Sequence, residues 1–476
     1  MKNNLGLLYL SMLIAWLPLV AGSQVSFPLK VSENKRYFID QHNIPFPILG
    51  RTAWCIISQP VSSYQAFIEN SLSYGYNSIE MSVICHWAQS YYPPHNGRGD
   101  LPFQKRLDGS VWNGSLVYTN VNAESPDLTT PNERYWTFVD SFLAYCESKG
   151  VLVFFFPAYL GAIGSNEGWM KELVANDIEK TRAYGAWIAN RYKNQKNLVW
   201  MILGDQGYFN KEEKKVEAAL IAGLKSVPGQ QSAHYSAESG SGENSADQVD
   251  FGDQMTLNGV YSWGSVSIPA LARHGYSHMP VMPAFLLEEP YDEEGPDGNR
   301  FNPNAIQPVR RFQWWGWLST IGGYISGNGY IWPFIKLHWW EKHLNSPGTL
   351  DMHRLNDFIK SVHWWELVPS GMNGMKTLIT QGAGNDTSSN YVAAAATTDG
   401  ALLLAYIPPD HSGGITVDMT VLKENIKAYW FDPTSATLTA ISGSPFNNKG
   451  TQKFTPPGKN NSGYNDWVLK LMASDD

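Results

Sequence analysis

The part of the chain before Met372 combines two patterns of hydrophobic and polar positions. Short, wholly apolar runs such as residues 198–203 are typical of buried parallel strands. Between them lie longer runs, such as residues 177–192, whose apolar positions recur at helical spacing. This alternation of strand and helix predicts an α/β fold, a (β/α)8 TIM barrel. The predicted strands are residues 45–54, 76–85, 151–160, 198–203, 232–239, 254–263, 279–290 and 322–332, and the predicted helices are residues 63–74, 132–149, 177–192, 211–224, 268–274, 305–320 and 351–367.

From about Met372 the helical periodicity ends, and short β-rich runs separated by turn residues replace it. This pattern predicts a small antiparallel β-sandwich domain. Its predicted strands are residues 391–396, 401–407, 415–419, 426–431, 452–454 and 467–472.

The amino terminus has the form of a secretory signal peptide, with Lys2, an apolar run over residues 5–20 and small residues at 21–23. The predicted organisation is a signal peptide at 1–22, a catalytic barrel at 23–371 and the β-sandwich at 372–476. Cleavage of the signal would leave a periplasmic or secreted protein with no membrane association.

Composition narrows the classes of function. The chain has 43 acidic and 35 basic residues and a formal net charge of −8. Nucleic acid is therefore not an expected partner, because its binding depends on cationic side chains that neutralise phosphates. Aromatic residues make up 13% of the chain and include 19 tryptophans, an excess that suits a protein that stacks on sugar rings. The sequence predicts no cofactor and no metal site, and it leaves the oligomeric state open.

The chain has three cysteines, and an odd number excludes a complete disulfide framework. Cys55 and Cys85 follow neighbouring predicted strands and could pair. The interpretation favoured by the sequence is that they are buried free thiols.

Acidic residues follow the fourth and seventh predicted strands. Asp205 comes directly after Gly204, and the seventh strand ends in Glu288-Glu289. Side chains alternate along a strand, so only one of these glutamates can face the barrel mouth, and periodicity does not say which. We choose Glu289 because it lies closer to the rim.

Catalytic groups of such barrels lie at the carboxyl ends of the strands, and glycoside hydrolysis needs a pair of carboxyl groups. We therefore predict Asp205 as the acid/base and Glu289 as the nucleophile. The alternative for each is a structural carboxylate that caps a helix or pairs with an arginine.

Aromatic and polar residues cluster at the same predicted rim, where they could stack on sugar rings and bind hydroxyl groups. Glu80 interrupts an apolar run in the second strand, and we interpret it as a buried partner of Arg51. The predicted substrate-binding residues are Trp54, His86, Trp87, Tyr159, Gln206, His234, Tyr261, Trp263, Tyr291, Asn328 and Trp332.

Several segments resemble the apiosidase-like glycoside hydrolases, glycoside hydrolase family 140 and its relatives. The β-domain segment Trp-Phe-Asp-Pro at 430–433 resembles the collagen-binding-type domain that accompanies this family. The segments of the barrel that carry the resemblance are Arg-Tyr-Lys at 191–193, Asn-Leu-Val-Trp at 197–200, Gly-Asp at 204–205, Tyr-Leu-Gly at 159–161, Gly-Trp at 168–169, Glu-Pro at 289–290 and residues 322–332.

The resemblance implies a TIM barrel followed by a β-sandwich, an Asp–Glu catalytic pair that maps onto Asp205 and Glu289, and action on plant pectic side chains, with apiosidic linkages the best-known substrate. The chain differs from the family at three positions. Leu203 stands where glycine is frequent, Gln206 where asparagine is common and Asn328 where histidine is common. These differences concern the choice of sugar more than the reaction.

The leading hypothesis is a retaining glycoside hydrolase that acts on oligo- or polysaccharides. The alternatives are a non-catalytic carbohydrate- or matrix-binding secreted protein and an inverting hydrolase. A carboxyl separation of about 5–5.5 Å indicates retention, and one of about 6.5–9.5 Å indicates inversion.

Overall fold

The computed structural model describes residues 24–86, 94–162, 165–262, 267–288, 290–293, 309–334, 339–423 and 425–473. The predicted signal peptide lies outside these ranges. None of the described helices is long and apolar enough to cross a membrane.

The described strands divide between an amino-terminal sheet, the barrel and the carboxy-terminal domain. In chain order the strands are β1 (Lys30–Val31), β2 (Phe38–Ile39), β3 (Pro45–Phe46), β4 (Ile48–Thr52), β5 (Ser78–Ser82), β6 (Leu152–Phe156), β7 (Leu198–Leu203), β8 (Tyr235–Glu238), β9 (Glu243–Asn244), β10 (Asn258–Tyr261), β11 (Ala284–Leu287), β12 (Ile321–Ser326), β13 (Leu367–Pro369), β14 (Ile379–Gln381), β15 (Ala393–Thr397), β16 (Leu402–Ile407), β17 (Ile415–Asp418), β18 (Ile426–Phe431), β19 (Leu438–Ala440), β20 (Thr451–Phe454) and β21 (Trp467–Ala473).

The described α-helices precede β13. They are α1 (Val61–Ser73), α2 (Val121–Glu124), α3 (Glu133–Ser148), α4 (Met170–Ala175), α5 (Asp177–Tyr192), α6 (Lys211–Lys225), α7 (Ile268–Ser277), α8 (Arg310–Thr320) and α9 (Pro347–Lys360).

Eight parallel strands form the barrel sheet in the order β8-β7-β6-β5-β4-β12-β11-β10. The amides of Thr256 and Leu257, just before β10, donate to the carbonyl oxygen of Tyr235 in β8 at 2.9 and 3.0 Å, which joins the two ends of the sheet. The predicted (β/α)8 barrel is thus confirmed. Strand β7 and helix α5 match their predicted bounds residue for residue.

The interior of the barrel is filled by side chains that alternate along each strand. The rings of Phe154 in β6 and Phe285 in β11 lie 5.2 Å apart, although these strands are not neighbours in the sheet. Leu286 points the other way, against Gly316 of α8. Positions 285 and 287 of β11 therefore face the interior, and position 286 faces the outer helices.

A disulfide joins Cys55 and Cys85, whose Cα atoms are 5.4 Å apart. The interpretation of these two residues as free thiols is wrong. They follow β4 and β5, and these strands are parallel neighbours, so their ends meet at the same edge of the sheet. Cys146 is a buried free cysteine.

Two antiparallel sheets form the carboxy-terminal domain, as predicted. One has the order β13-β15-β16-β21-β18-β19 and the other the order β14-β17-β20. The sequence of strand β16 is a continuous apolar run because both faces of the strand are buried. Leu403 and Ala405 face the smaller sheet, whereas Leu404 and Tyr406 belong to a hydrophobic cluster that includes barrel helices.

The two domains share an apolar and charged interface. Trp314 of α8 stacks on Tyr406 of β16, with ring centroids 5.6 Å apart. On the same helix, Arg310 is 3% exposed and donates to Asp466 Oδ2 and Asp351 Oδ2, each at 2.6 Å. Strand β13 pairs with β15, so the larger sheet of the carboxy-terminal domain begins before the predicted boundary at residue 372.

Candidate active site

A glutamate held by two donors occupies the mouth of the barrel. Glu288 directly follows β11 and is 5% exposed. The indole Nε1 of Trp54 donates to Glu288 Oε1 over 2.6 Å, and the Tyr291 hydroxyl donates to the same oxygen. The Tyr291 ring lies directly on Gly327, where a Cβ would be 2.0 Å from the ring. Two buried donors fix the position of a carboxylate and stabilise its charge.

The side chain of Glu288 points into the mouth because of its own backbone conformation, not because of the alternation of side chains along β11. Phe285 and Leu287 face the interior, so strict alternation would place Glu288 on the outer face. Glu288 instead has φ +62°, in the left-handed region that non-glycine residues seldom adopt. Glu289, the predicted nucleophile, lies outside the described residues.

Two further glutamates lie beside Glu288. Glu238, the last residue of β8, is 1% exposed and lies close enough to Glu288 for that carboxylate to raise its pKa. Glu80 of β5 is fully buried, and neither of its carboxyl oxygens has a hydrogen-bond partner in the part of the chain that the structure describes.

Burial raises the pKa of both carboxyl groups. The charge of Glu288 raises the pKa of Glu80 further, and the charges of Glu288, Glu80 and Asp205 do the same for Glu238. Burial and the neighbouring carboxylates thus favour the neutral, protonated form of Glu80 and Glu238 over the ionised form.

Asp205 follows β7 at the end of three residues with left-handed backbone. The φ angles are +65° at Leu203, +127° at Gly204 and +50° at Asp205. Strained backbone of this kind clusters at functional sites. Glycine is required at 204, since a Cβ there would lie 2.3 Å from the ring of Tyr159.

The ring of Tyr159 connects the two sides of the mouth. It lies 5.0 Å from Trp54, the donor to Glu288. Burial raises the pKa of Tyr159, and the charges of Glu238, Asp205 and Glu288 raise it further. Asp205 and Glu288 thus both lie near enough to this buried tyrosine for their charges to raise its pKa.

His86 and Gln206 line a cavity next to Asp205. Nε2 of His86 lies 3.5 Å from Glu172 Oε1, and its ring packs edge-on against Trp169 at 5.3 Å. Gln206 is 7% exposed and donates to the carbonyl oxygen of Tyr208 over 2.7 Å.

Three other predicted binding residues are built into the wall of the mouth. Tyr261 ends β10 and is 2% exposed. The carbonyl oxygen of Trp332 accepts from the amide of Cys55 at 3.4 Å. The side-chain amide of Asn328 donates to Glu293 Oε2 over 2.8 Å, so it helps to hold the turn that follows Glu288.

His234 does not reach the site, and its predicted place at the rim is wrong. The strand begins at Tyr235, so His234 lies at the amino-terminal end of the barrel. Its Nε2 is 3.0 Å from the carbonyl oxygen of Leu29, and its ring packs on Phe38 of β2 at 4.7 Å. A residue that precedes a barrel strand lies on the face opposite the catalytic rim.

Glu80 does not pair with Arg51 either. Arg51 donates to Asn70 Oδ1 at 2.9 Å, and also to Leu344 and Thr349, whereas Glu80 lies among the acids of the mouth. In the register of β4 and β5, Thr52 is opposite Glu80, so the neighbouring Arg51 points to the other face of the sheet.

Trp87 and Trp263 lie outside the described residues. Within the described ranges no three His, Cys, Asp or Glu side chains are grouped to hold a metal ion.

The sequence predictions overlooked Glu238 and chose Glu289 rather than Glu288 as the nucleophile. Glu238 had a usable signal, because it is a carboxyl group at the carboxyl end of a predicted barrel strand. Glu288 had a weaker signal, because it shares the end of the seventh predicted strand with Glu289 and the sequence does not distinguish the two.

A parallel barrel with several carboxyl groups at the carboxyl ends of its strands can supply the acids that glycoside hydrolysis needs. Residues 32–366 match the family described as "Apiosidase-like, catalytic domain", and the chain belongs to this family. Residues 376–472 match the family described as "Putative collagen-binding domain of a collagenase". The resemblance to the apiosidase-like catalytic domain and its accompanying β-domain, and the enzyme class, a glycoside hydrolase, are thereby confirmed.

Solved structures share the fold. One described as a glycoside hydrolase has a TM-score of 0.74 and 20% identity, over 94% of this chain and 98% of its own. A glycoside hydrolase family 5 protein from Bacteroides vulgatus has a TM-score of 0.72 and 19% identity, over 94% and 95%. A comparison with curated protein sequences finds no match.

Proposed function

We propose that this protein is a retaining glycoside hydrolase that cleaves pectic, apiosidase-like saccharides of the plant cell wall. Asp205 is the acid/base, and Glu288 rather than Glu289 is the nucleophile. The proposal is carried by the two buried donors, Trp54 and Tyr291, that converge on Glu288. The substrate class rests on membership of the family.

In the first step Asp205 donates a proton to the glycosidic oxygen while Glu288 attacks the anomeric carbon. The bond to the leaving group breaks, and a glycosyl-enzyme forms. In the second step Asp205 takes a proton from water, which attacks the same carbon from the opposite side and releases Glu288 as a carboxylate.

Trp54 and Tyr291 assist mainly in the second step. Glu288 gives up its negative charge when the covalent bond forms and regains it when the bond breaks. Hydrogen bonds to a charged acceptor are stronger than those to a neutral one, so the two donors favour the departure of Glu288 from the sugar.

Glu238 and Glu80 support this cycle by remaining neutral. An ionised carboxyl group next to Glu288 would repel it, and the buried environment makes such repulsion strong. As a protonated acid, Glu238 instead offers Glu288 a hydrogen-bond donor.

The test is sugar release from a panel of plant polysaccharides and pectic oligosaccharides, with wild type beside Glu288→Gln, Glu289→Gln and Asp205→Asn. We expect Glu288→Gln to lower the rate at least about a thousandfold and Glu289→Gln to leave most of the activity. The reverse order would assign the nucleophile to Glu289, as the strand alternation suggests. Full activity in both variants would exclude the proposed step.

Chemical rescue tests the stereochemistry. In Glu288→Gly, added azide can occupy the vacated space and attack the anomeric carbon of an activated aryl glycoside. A glycosyl azide of inverted configuration is expected, because a retaining nucleophile attacks from the face opposite the leaving group. Wild type should release its first product with retained configuration, and inversion by wild type would refute the retaining mechanism.

A further inference from the structure

The disulfide between Cys55 and Cys85 lies at the mouth of the barrel. Its first cysteine directly follows Trp54, the residue whose indole donates to Glu288 over 2.6 Å. Its second cysteine directly precedes His86, which lines the cavity on the other side of the mouth. The two cysteines are 0% and 4% exposed. The bond therefore links two backbone segments that both carry residues of the site.

The segment that carries Cys85 is firmly anchored. The carbonyl oxygen of Ile84 accepts from the indole of Trp169 over 2.9 Å, and that of Val83 accepts from the hydroxyl of Tyr135. The two rings are 0% and 1% exposed. Hydrogen bonds to closely packed, buried rings leave this segment little freedom to move.

The segment that carries Cys55 has weaker attachments of its own. The amide of Ser82 in β5 donates to the carbonyl oxygen of Trp54 over 3.0 Å. The amide of Cys55 itself donates to the carbonyl oxygen of Trp332 only at the long distance of 3.4 Å. Among the described residues, the disulfide is thus the one strong attachment of Cys55 to another segment of the mouth.

The packing of the Trp54 ring does not fix its position by itself. The ring lies at tilted angles on Phe156 and Tyr159, with centroids 4.9 and 5.0 Å away. Apolar contacts of this kind are non-directional and tolerate sliding. A hydrogen bond weakens steeply when its distance or angle departs from the optimum, so the bond to Glu288 needs a more exact placement than the ring contacts supply.

We infer that the disulfide is a positioning element of the active site, which holds Trp54 at hydrogen-bonding distance from Glu288. The inference rests on the proposed function, in which this donor favours the release of the sugar from Glu288. Cys55 and Trp54 are neighbours in the chain, so a shift of the cysteine is passed directly to the indole. Displacements of about 1 Å are enough to lower a catalytic rate. Disulfides persist in oxidising compartments, so full activity is expected only there.

A direct readout of the hydrogen bond tests the positioning without requiring activity. The protein carries Cys146→Ala, which leaves Cys55 and Cys85 as its only cysteines, and is compared oxidised, reduced by a trialkylphosphine and reoxidised. The NMR signal of the Trp54 indole N–H is identified by its absence from Trp54→Phe. We expect reduction to move this signal upfield and to speed its exchange with solvent, because a strong hydrogen bond to a charged acceptor is weakened. Reoxidation should restore both.

Turnover should follow the hydrogen bond. On a substrate for which the release of the sugar limits turnover, reduction should lower kcat about three- to tenfold. In Trp54→Phe, reduction should change kcat less than about twofold, because the disulfide acts through the indole. Leu469→Ala is the matched control for stability, since this fully buried side chain lies in the carboxy-terminal domain and its truncation destabilises about as much as the loss of a disulfide. Its kcat should stay close to that of wild type.

Each outcome decides the inference. An indole signal that does not respond to reduction would overturn it, and so would an active enzyme whose signal moves while kcat stays the same. Equal losses of kcat in wild type and Trp54→Phe, or an equal loss in Leu469→Ala, would show general destabilisation instead. Loss of the near-UV circular dichroism on reduction would also overturn it, because the bond would then be needed for the fold. A responsive signal in a protein that hydrolyses no saccharide would support the positioning and count against the catalytic proposal.

Discussion

The indole nitrogen of Trp54 and the carboxylate oxygen Oε1 of Glu288 lie 2.6 Å apart, although 234 positions separate them in the chain. One residue follows the first barrel strand and the other follows the seventh. Each barrel strand end is fixed by the strands beside it, so the fold itself sets this distance. The carboxylate is therefore positioned before any substrate arrives.

Trp54→Phe keeps an aromatic ring in place and removes the donor. We expect the rate of the second step, the release of the sugar from Glu288, to fall about 10- to 100-fold, as measured by kcat on a substrate for which this step limits turnover. This is the effect of losing a hydrogen bond to a charged group, worth about 1.5–3 kcal/mol. Trp136→Phe is the matched control, because its buried indole donates to the carbonyl oxygen of Pro102 at 2.9 Å, away from the mouth. Similar losses in both variants would show that the effect at Trp54 is general destabilisation.

The pH profile should report on Glu238. Since the pKa of Glu238 is raised, it keeps its proton to a higher pH than an ordinary glutamate, and its ionisation as the pH rises further places a second charge against Glu288. Activity should therefore decline on the alkaline side. Glu238→Gln cannot ionise and can still donate, so its kcat/KM should stay close to that of wild type at neutral pH, with the decline moved to higher pH.

Glu238→Ala is the comparison for that experiment. It removes the hydrogen-bond donor as well as the ionisable group, and its kcat/KM should be lower across the whole pH range. An alkaline decline that is identical in wild type and Glu238→Gln would refute the role of this carboxyl group.

Stability should depend on pH through Glu217 of α6. This side chain is fully buried, and burial raises its pKa to about 8. In the unfolded chain the group ionises at its ordinary, lower pKa, so the native state keeps a proton that the unfolded state loses. Its contribution to stability is thus fully present below the unfolded pKa and is lost as the pH rises towards about 8.

Glu217→Gln should remove this loss. Relative to wild type, the free energy of unfolding should rise by about 3–5 kcal/mol between pH 5 and pH 9, as measured by urea denaturation. Glu212→Gln, on the exposed side of the same helix, should follow the pH dependence of wild type. A wild type whose stability does not fall over this range would contradict the prediction.

The disulfide should contribute to stability as well. Cys55 and Cys85 are 30 positions apart, and closing a loop of that length in the unfolded chain is worth about 3–4 kcal/mol. Reducing agent should lower the unfolding midpoint of wild type. The double variant Cys55→Ala, Cys85→Ala should already have the lower midpoint and should not respond to the reducing agent, because Cys146 is a free thiol.

The elements that the sequence predicts best are those with one dominant signal. Residues 198–203 form an uninterrupted apolar run before a glycine, and residues 177–192 keep one amphipathic face, so each admits a single interpretation. The two-residue strands β1, β2 and β3 are too short to show any periodicity.

The site was harder to predict because it depends on local departures from the regular pattern. A single positive φ at Glu288 reverses the side that alternation assigns to it. A strand start three residues later than predicted moves His234 to the opposite face of the barrel. The disulfide depends on the distance between two strand ends, which residue spacing along the chain does not contain.

Helix α8 has consequences beyond the active site, because it belongs to two cores. Gly316 packs on Leu286 of the barrel, while Trp314 and Arg310 pack against the carboxy-terminal sheet. If either domain unfolded, the apolar surface of the other domain at this interface would be exposed to water. Heating should therefore produce a single cooperative transition. The shared helix also limits the exchange of domains between related proteins. A recombinant with a different carboxy-terminal domain would leave Trp314 and Arg310 of the barrel without their partners, so the two domains are expected to evolve as a pair.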